Sequence, residues 1–259
     1  MDKTMFTAPE ICEESIKIGI RKGAKTKFLQ TLILSILAGA FISFGAFVSS
    51  VGAHGITDYG ISKFVAGALF PVGLVLVVVC GAELFTGNTL LIQAYMEKKI
   101  TIYQFVKNLV IVYIGNLIGA VMIAVLIYLS GLLLSNDAKL GAYVIKVAQY
   151  KGHLSFMNAF ASGILCNFLV CLAVWGSYAA KDVAGKILII WATIMTFITS
   201  GFEHSIANMY YFAIGILAKL DSRILSASTL SQDKIDSVNI TNAIGNIVPV
   251  TIGNIIGGM

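Results

Sequence analysis

Ser200-Gly201-Phe202-Glu203-His204-Ser205-Ile206-Ala207-Asn208 lies in the middle of an apolar run reaching from about Ile187 to Ala218. A helix crosses a bilayer core in roughly 20 residues, so a run of about 32 is too long for one straight span. It is also too short for two spans and a loop. Thr199-Ser200-Gly201 followed by Glu203-His204-Ser205 supplies the break. Ionisable groups at membrane depth are costly and line paths more often than they face lipid. Irregular backbone is tolerated there only where it borders a cavity or is buried in protein. The stretch therefore predicts a broken membrane helix built around a polar site.

A second run, about Phe64 to Met96, repeats the anomaly and carries Gly81-Ala82-Glu83-Leu84-Phe85-Thr86-Gly87-Asn88. Both stretches read G-x-E-x-x-x-x-N: Gly81, Glu83 and Asn88 against Gly201, Glu203 and Asn208. The repetition extends further. Asn108–Gly119 and Asn246–Gly257 agree at eight of twelve positions, including Asn108/Asn246, Gly115/Gly253, Asn116/Asn254 and Gly119/Gly257. Each half thus has a plain span, a broken span and a span bearing G-N-x-I-G. Three crossings per repeat require the second copy to be inverted relative to the first.

Composition agrees. Of 259 residues, 58% are hydrophobic and 12% charged, against about 25% charged in a soluble domain. The expected fold is an all-α membrane protein of six spans in two inverted three-span repeats, with spans 2 and 5 broken. Spans begin near Phe28, Phe64, Tyr103, Ser155, Ile187 and Val238, separated by polar loops that include Gly52–Lys63, Ser135–Leu154 and Lys219–Ser237. Residues 28–259 form one transmembrane domain, with repeat one at about 28–134 and repeat two at about 155–259. Residues 1–27 are polar and mixed in charge, with no cleavable apolar segment; they read as a cytoplasmic amphipathic helix or a basic topology tail. The net charge of +5 reflects basic residues flanking apolar runs and not a nucleic-acid partner. With the N-terminus inside, the inner segments hold 11 of the 18 Lys and Arg, Lys3 among them, and the outer ones 7. That places both termini in the cytoplasm. Cys12, Cys80, Cys166 and Cys171 have neither disulfide nor metal-ligand spacing, and no cofactor pattern is present.

In an inverted repeat the breaks meet near the midplane, bringing Leu84-Phe85-Thr86 opposite Phe202-Glu203-His204. Half-helix N-termini there favour an anion. Thr86 and His204 supply hydrogen bonds, Asn208 lies one turn beyond His204, and Asn167 reaches the same place from span 4. Phe70, Leu74, Phe85, Phe197 and Phe202 flank this polar centre, and apolar rings beside one polar site exclude hydrated ions. Glu83 and Glu203 are expected to accept N–H bonds from their own broken backbone. Together these features predict a pore for small anions. The alternatives are a neutral-solute channel, a proton-coupled carrier, and an intramembrane enzyme using Glu203 and His204, for which no nucleophile–base set exists.

Over essentially its whole length the chain resembles the formate/nitrite transporter family, which includes hydrosulfide channels; the Gly81–Asn88 and Gly201–Asn208 stretches carry the resemblance. It implies an aquaporin-like protomer in a homopentamer, with one pore per protomer, in the cell's inner (plasma) membrane. It implies an omega-shaped break at Leu84-Phe85-Thr86 and a pore histidine, His204, near Thr86 and Asn208. Apolar constrictions are implied at Phe70, Leu74, Leu84, Phe85, Val170, Phe197 and Phe202, an anion-attracting vestibule lysine at Lys151, and a pore-facing Asn167. The implied cargo is a weak-acid anion (hydrosulfide, formate or nitrite), overall similarity leaning to hydrosulfide. Members of the family usually continue past Gly258-Met259, so the last span, about 22 residues from Val238, is expected to be truncated.

Overall fold

The computed structural model describes residues 5–259; Lys3 and the start of the 1–27 segment lie outside the described residues. Helix α1 (Ala8–Ile20) opens on a capping box, Thr7 N–H donating to Glu10 Oε2 at 2.7 Å, and runs into one π-turn, Arg21–Lys25. Its buried residues Ile11, Ser15 and Gly19 recur every four positions and form one face. Gly19 rests on Ala94, so α1 lies against protein.

Helix α2 (Phe28–Ala53) is the first span. Then come α3 (Tyr59–Leu69) and α4 (Val72–Val79). They make a single candidate span, Tyr59–Val79, interrupted at Pro71. The chain breaks and resumes as α5 (Phe85–Asn88), a 3₁₀ turn and α6 (Ile92–Met96). Next are α7 (Ile102–Leu129), α8 (Lys139–Gly152), α9 (Phe156–Ala179) and α10 (Val183–Ser200). After the second break come α11 (Ser205–Ala218), the short α12 (Ser222–Ala227) and α13 (Gln232–Asp236), and α14 (Ile240–Gly258). No strand occurs among the described residues. Six helices are long and apolar enough to cross a membrane, and the protein is an all-α, multi-pass membrane protein.

Three segments expected as polar loops differ. Residues Lys139–Gly152 form α8, whose Leu140, Val144, Ile145 and Ala148 are buried at helical spacing. The Lys219–Ser237 stretch contains α12 and α13. Residues Tyr59–Lys63, placed in the Gly52–Lys63 loop, belong to α3, capped by Asp58, whose Oδ1 accepts Ile61 N–H at 2.8 Å. Asp58→Ala should remove about 1 kcal/mol of stability, seen as a small downward shift in detergent-solubilised melting temperature.

Packing in the two halves matches. Helix α2 lies along α7, and α9 along α14. Gly119 sits against the Ile36 carbonyl of α2, and Gly257 against the Ile164 carbonyl of α9, closer than any Cβ would allow. The second Gly of each G-N-x-I-G motif thus sets the helix–helix distance. The apolar interior encloses a set of buried amides, Asn88, Asn108, Asn116, Asn167, Asn208, Asn246 and Asn254, while Val110, Ile114, Ile118 and Val121 of α7 face outward. That distribution suits a hydrocarbon solvent, where outward apolar groups cost nothing and polar groups need internal partners.

Candidate functional site

Each break begins at a glycine in the left-handed region, Gly81 at φ 73° and Gly201 at φ 79°, which only glycine adopts freely. Extended residues follow, Leu84 (φ −106°, ψ 128°) and His204 (φ −115°, ψ 116°), and the next helices start. Such ends leave backbone groups unpaired, and in the membrane interior each must find a partner.

One asparagine serves each break. Asn116 Oδ1 accepts Phe85 N–H at 2.9 Å, and its Nδ2 donates to the Ser35 and Glu83 carbonyls at 2.8 and 2.9 Å. Asn254 repeats this on Ser205 N–H (2.9 Å) and on the Gly163 and Glu203 carbonyls (2.8 and 3.0 Å). These are the asparagines of G-N-x-I-G. Their role was not read from the sequence, although the repeat had flagged them.

The glutamates depart from expectation. Neither carboxylate caps its own backbone. Glu83 Oε2 lies 3.0 Å from Lys22 Nζ and accepts Asn88 Nδ2 at 2.7 Å. Glu203 takes Lys151 Nζ at 2.8 Å and Asn208 Nδ2 at 2.6 Å. Asn108 and Asn246 complete each cluster, accepting from Asn88 (2.9 Å) and Asn208 (2.7 Å) and donating to the Lys22 and Lys151 carbonyls (3.2 and 2.8 Å). Lys22 is therefore the counterpart of Lys151. It was missed because nothing local connects it to Glu83. Lys151 also sits 5.3 Å from the Tyr211 ring. Asn208, expected to share a face with His204, points its amide at Glu203 and Asn246 instead.

The halves diverge at five matched positions of the eight, two of which form the polar centre of the site. Counted from each glutamate, Leu84 matches His204 and Thr86 matches Ile206. Where the breaks meet, Thr86 Oγ and His204 Nε2 are 2.8 Å apart, both residues buried. His204 also caps α11, its Nδ1 accepting Ala207 N–H at 3.1 Å. A nitrogen that accepts carries no proton, so the ring is the Nε2–H tautomer and donates to Thr86 Oγ. The Thr86 hydroxyl proton is then free for a third group. The Thr86 carbonyl is held by Thr89 Oγ (2.6 Å), Asn167 Nδ2 (3.2 Å) and Cys171 Sγ (3.5 Å). Asn167 also donates to the Asn254 carbonyl at 2.6 Å, so its amide ties the first break to α14.

Of the apolar residues singled out, Phe70, Leu74, Leu84, Phe85, Val170 and Phe197 are buried and Phe202 is half-buried. Phe70 meets Phe197 edge-on at 5.7 Å, and Phe197 lies 6.0 Å from the His204 ring. The Phe85 ring packs on Tyr113 at 4.8 Å. Leu74 and Leu84 border a cavity of about 330 Å³ that is also lined by Arg21, Lys22, Lys181 and Lys186.

Two broken spans, matched lysine–glutamate–asparagine clusters and a polar pair between apolar rings are the features of a membrane transport protein. The chain belongs to the formate/nitrite transporter family, whose pattern matches residues 9–259. It is 39% identical to the formate channel FocA of Escherichia coli strain K12, over 96% of this chain and 88% of that one. The FocA of Haemophilus influenzae is 36% identical, covering 100% and 92%. A solved structure described as a pentameric formate channel with formate bound superposes with TM-score 0.83 at 32% identity, covering 91% of this chain and 94% of that one. An FNT family ion channel superposes equally well, at 30% identity over 96% and 94%.

Proposed function

We propose that this protein is a channel for small monovalent weak-acid anions, formate first and nitrite and hydrosulfide as further cargo. It works as a homopentamer in the cell's inner (plasma) membrane, with a pore through each subunit and both termini cytoplasmic. The relatives named formate channels support the substrate class and put formate at the head of the test. The matched clusters at the two breaks support halves of opposite orientation, one lysine–glutamate pair towards each side.

The observation that carries the reading is the Thr86–His204 pair, a buried two-residue polar centre contributed by both halves. An anion arriving there meets the Thr86 hydroxyl, aligned by the Nε2–H of His204. Asn167 acts through the Thr86 backbone, and Asn208 and Glu203 act by orienting Lys151. Phe70, Leu74, Leu84, Phe85, Val170, Phe197 and Phe202 strip the ion of water on either side. Lys151 offers its remaining N–H donors to an anion at its mouth. The hydrogen-bonded line from His204 to Thr86 to cargo also supports proton exchange with the anion, and thus a proton-coupled carrier as the second reading.

Flux into proteoliposomes, with current recorded in parallel, tests both. Selective, current-carrying passage of formate, nitrite or hydrosulfide over chloride supports the channel. Flux without net current supports the coupled carrier or passage of neutral solutes. His204→Phe should lower formate flux up to roughly tenfold, the scale of one lost hydrogen bond, here the one that aligns the Thr86 hydroxyl. Equal flux would remove His204 from the mechanism.

A further inference from the structure

The lysines at the two breaks are compensated. Lys151 is paired with Glu203 and Lys22 with Glu83, at 2.8 and 3.0 Å. Each pair is net neutral, so its field fades quickly with distance, whereas drawing an anion from bulk water needs net positive charge at the mouth.

Such a charge stands beside the Lys151 cluster. Gly67 of α3 is buried against Thr199 and Met195 of α10. Lys63, one turn earlier, lies on the same face. Its Nζ reaches 3.3 Å from where a Cβ on Gly201 would be, so the side-chain-free glycine of the second break makes room for the ammonium. Lys63 is half-buried and interacts electrostatically with both Lys151 and Glu203. Among the described residues it has no carboxylate within ion-pair distance, only the Tyr59 ring at 5.8 Å. Lys63, Lys151 and Glu203 together therefore carry one uncompensated positive charge. At the first break, among the described residues, no ammonium comes within 4 Å of where a Cβ on Gly81 would be; Lys186, Lys181, Arg21 and Lys22 only line the same cavity as that glycine.

We propose that Lys63 is the anion-capture residue of the Lys151-side mouth: its uncompensated ammonium draws the monovalent anion to the second break, where Lys151 supplies hydrogen bonds. The inference rests on the anion-channel reading.

The experiment measures initial rates of formate uptake against concentration, at low and high ionic strength, in proteoliposomes holding the channel in one orientation. Wild type, Lys63→Gln and Lys63→Arg are compared. Lys63→Gln should raise the half-saturating formate concentration roughly threefold or more at low salt, as expected for one partly screened charge, with the maximal rate unchanged. High salt should erase the difference, and Lys63→Arg should behave as wild type. Unchanged half-saturation at low salt overturns the proposal. So does a salt-independent fall in maximal rate that arginine does not restore, since that marks a structural role. A wild-type protein that passes none of formate, nitrite or hydrosulfide overturns the channel reading and this proposal with it. A working wild type with an indifferent Lys63→Gln overturns this proposal alone.

Discussion

Asn254→Leu should unfold the second break. The substitution roughly keeps side-chain volume but removes three hydrogen bonds at once, to Ser205 N–H and to the Gly163 and Glu203 carbonyls. All three partners lie where water does not replace the lost bonds, and each orphaned group costs about 1–3 kcal/mol. The sum, on the order of 5 kcal/mol, is comparable to the total stability of many proteins. Thermal unfolding in detergent should show a large drop in midpoint and loss of a monodisperse species. Asn116→Leu should act the same way on the first break, because its contacts are the same. A near wild-type midpoint for both variants would mean that the breaks are held by something other than these amides.

The second large effect concerns the ion pair beside the same break. Lys151→Met leaves the Glu203 carboxylate, 3% exposed, with Asn208 as its remaining side-chain partner. Removing one member of a buried pair costs about 3–5 kcal/mol when the other charge is stranded; Lys63, which interacts with Glu203, offsets part of that here. Lys151→Met combined with Glu203→Gln should therefore be more stable than Lys151→Met alone, because the amide removes that charge. A double-mutant cycle by denaturant unfolding measures this non-additivity. Strictly additive losses would show that the two side chains do not depend on each other.

The broken spans were legible because they are a matter of length: runs of about 32 and 33 apolar residues exceed one crossing. The Thr86–His204 pairing is legible because the two halves repeat, so the positions of the breaks superpose on sequence alone. Helix α8 reads as a loop in sequence because its Lys139, Lys146 and Lys151 mask the buried spacing of Leu140, Val144, Ile145 and Ala148. Asn208 was placed by helical periodicity on the side of His204, and periodicity says nothing about which neighbour an amide will choose.

Sequence alone determined the class of solvent, the number of spans, the two breaks, the internal repeat and the single histidine at its centre. These depend on hydrophobicity and spacing, which are local quantities. Tertiary structure decided the partners. Glu83 binds a lysine 61 residues away, Glu203 one 52 away, and Asn116 and Asn254 reach across to carbonyls of another helix. Lys63 is left uncompensated while Lys151 is not. A buried charge or amide is satisfied by whichever group the packed helices bring within about 3 Å, and that distance exists only once the chain has folded.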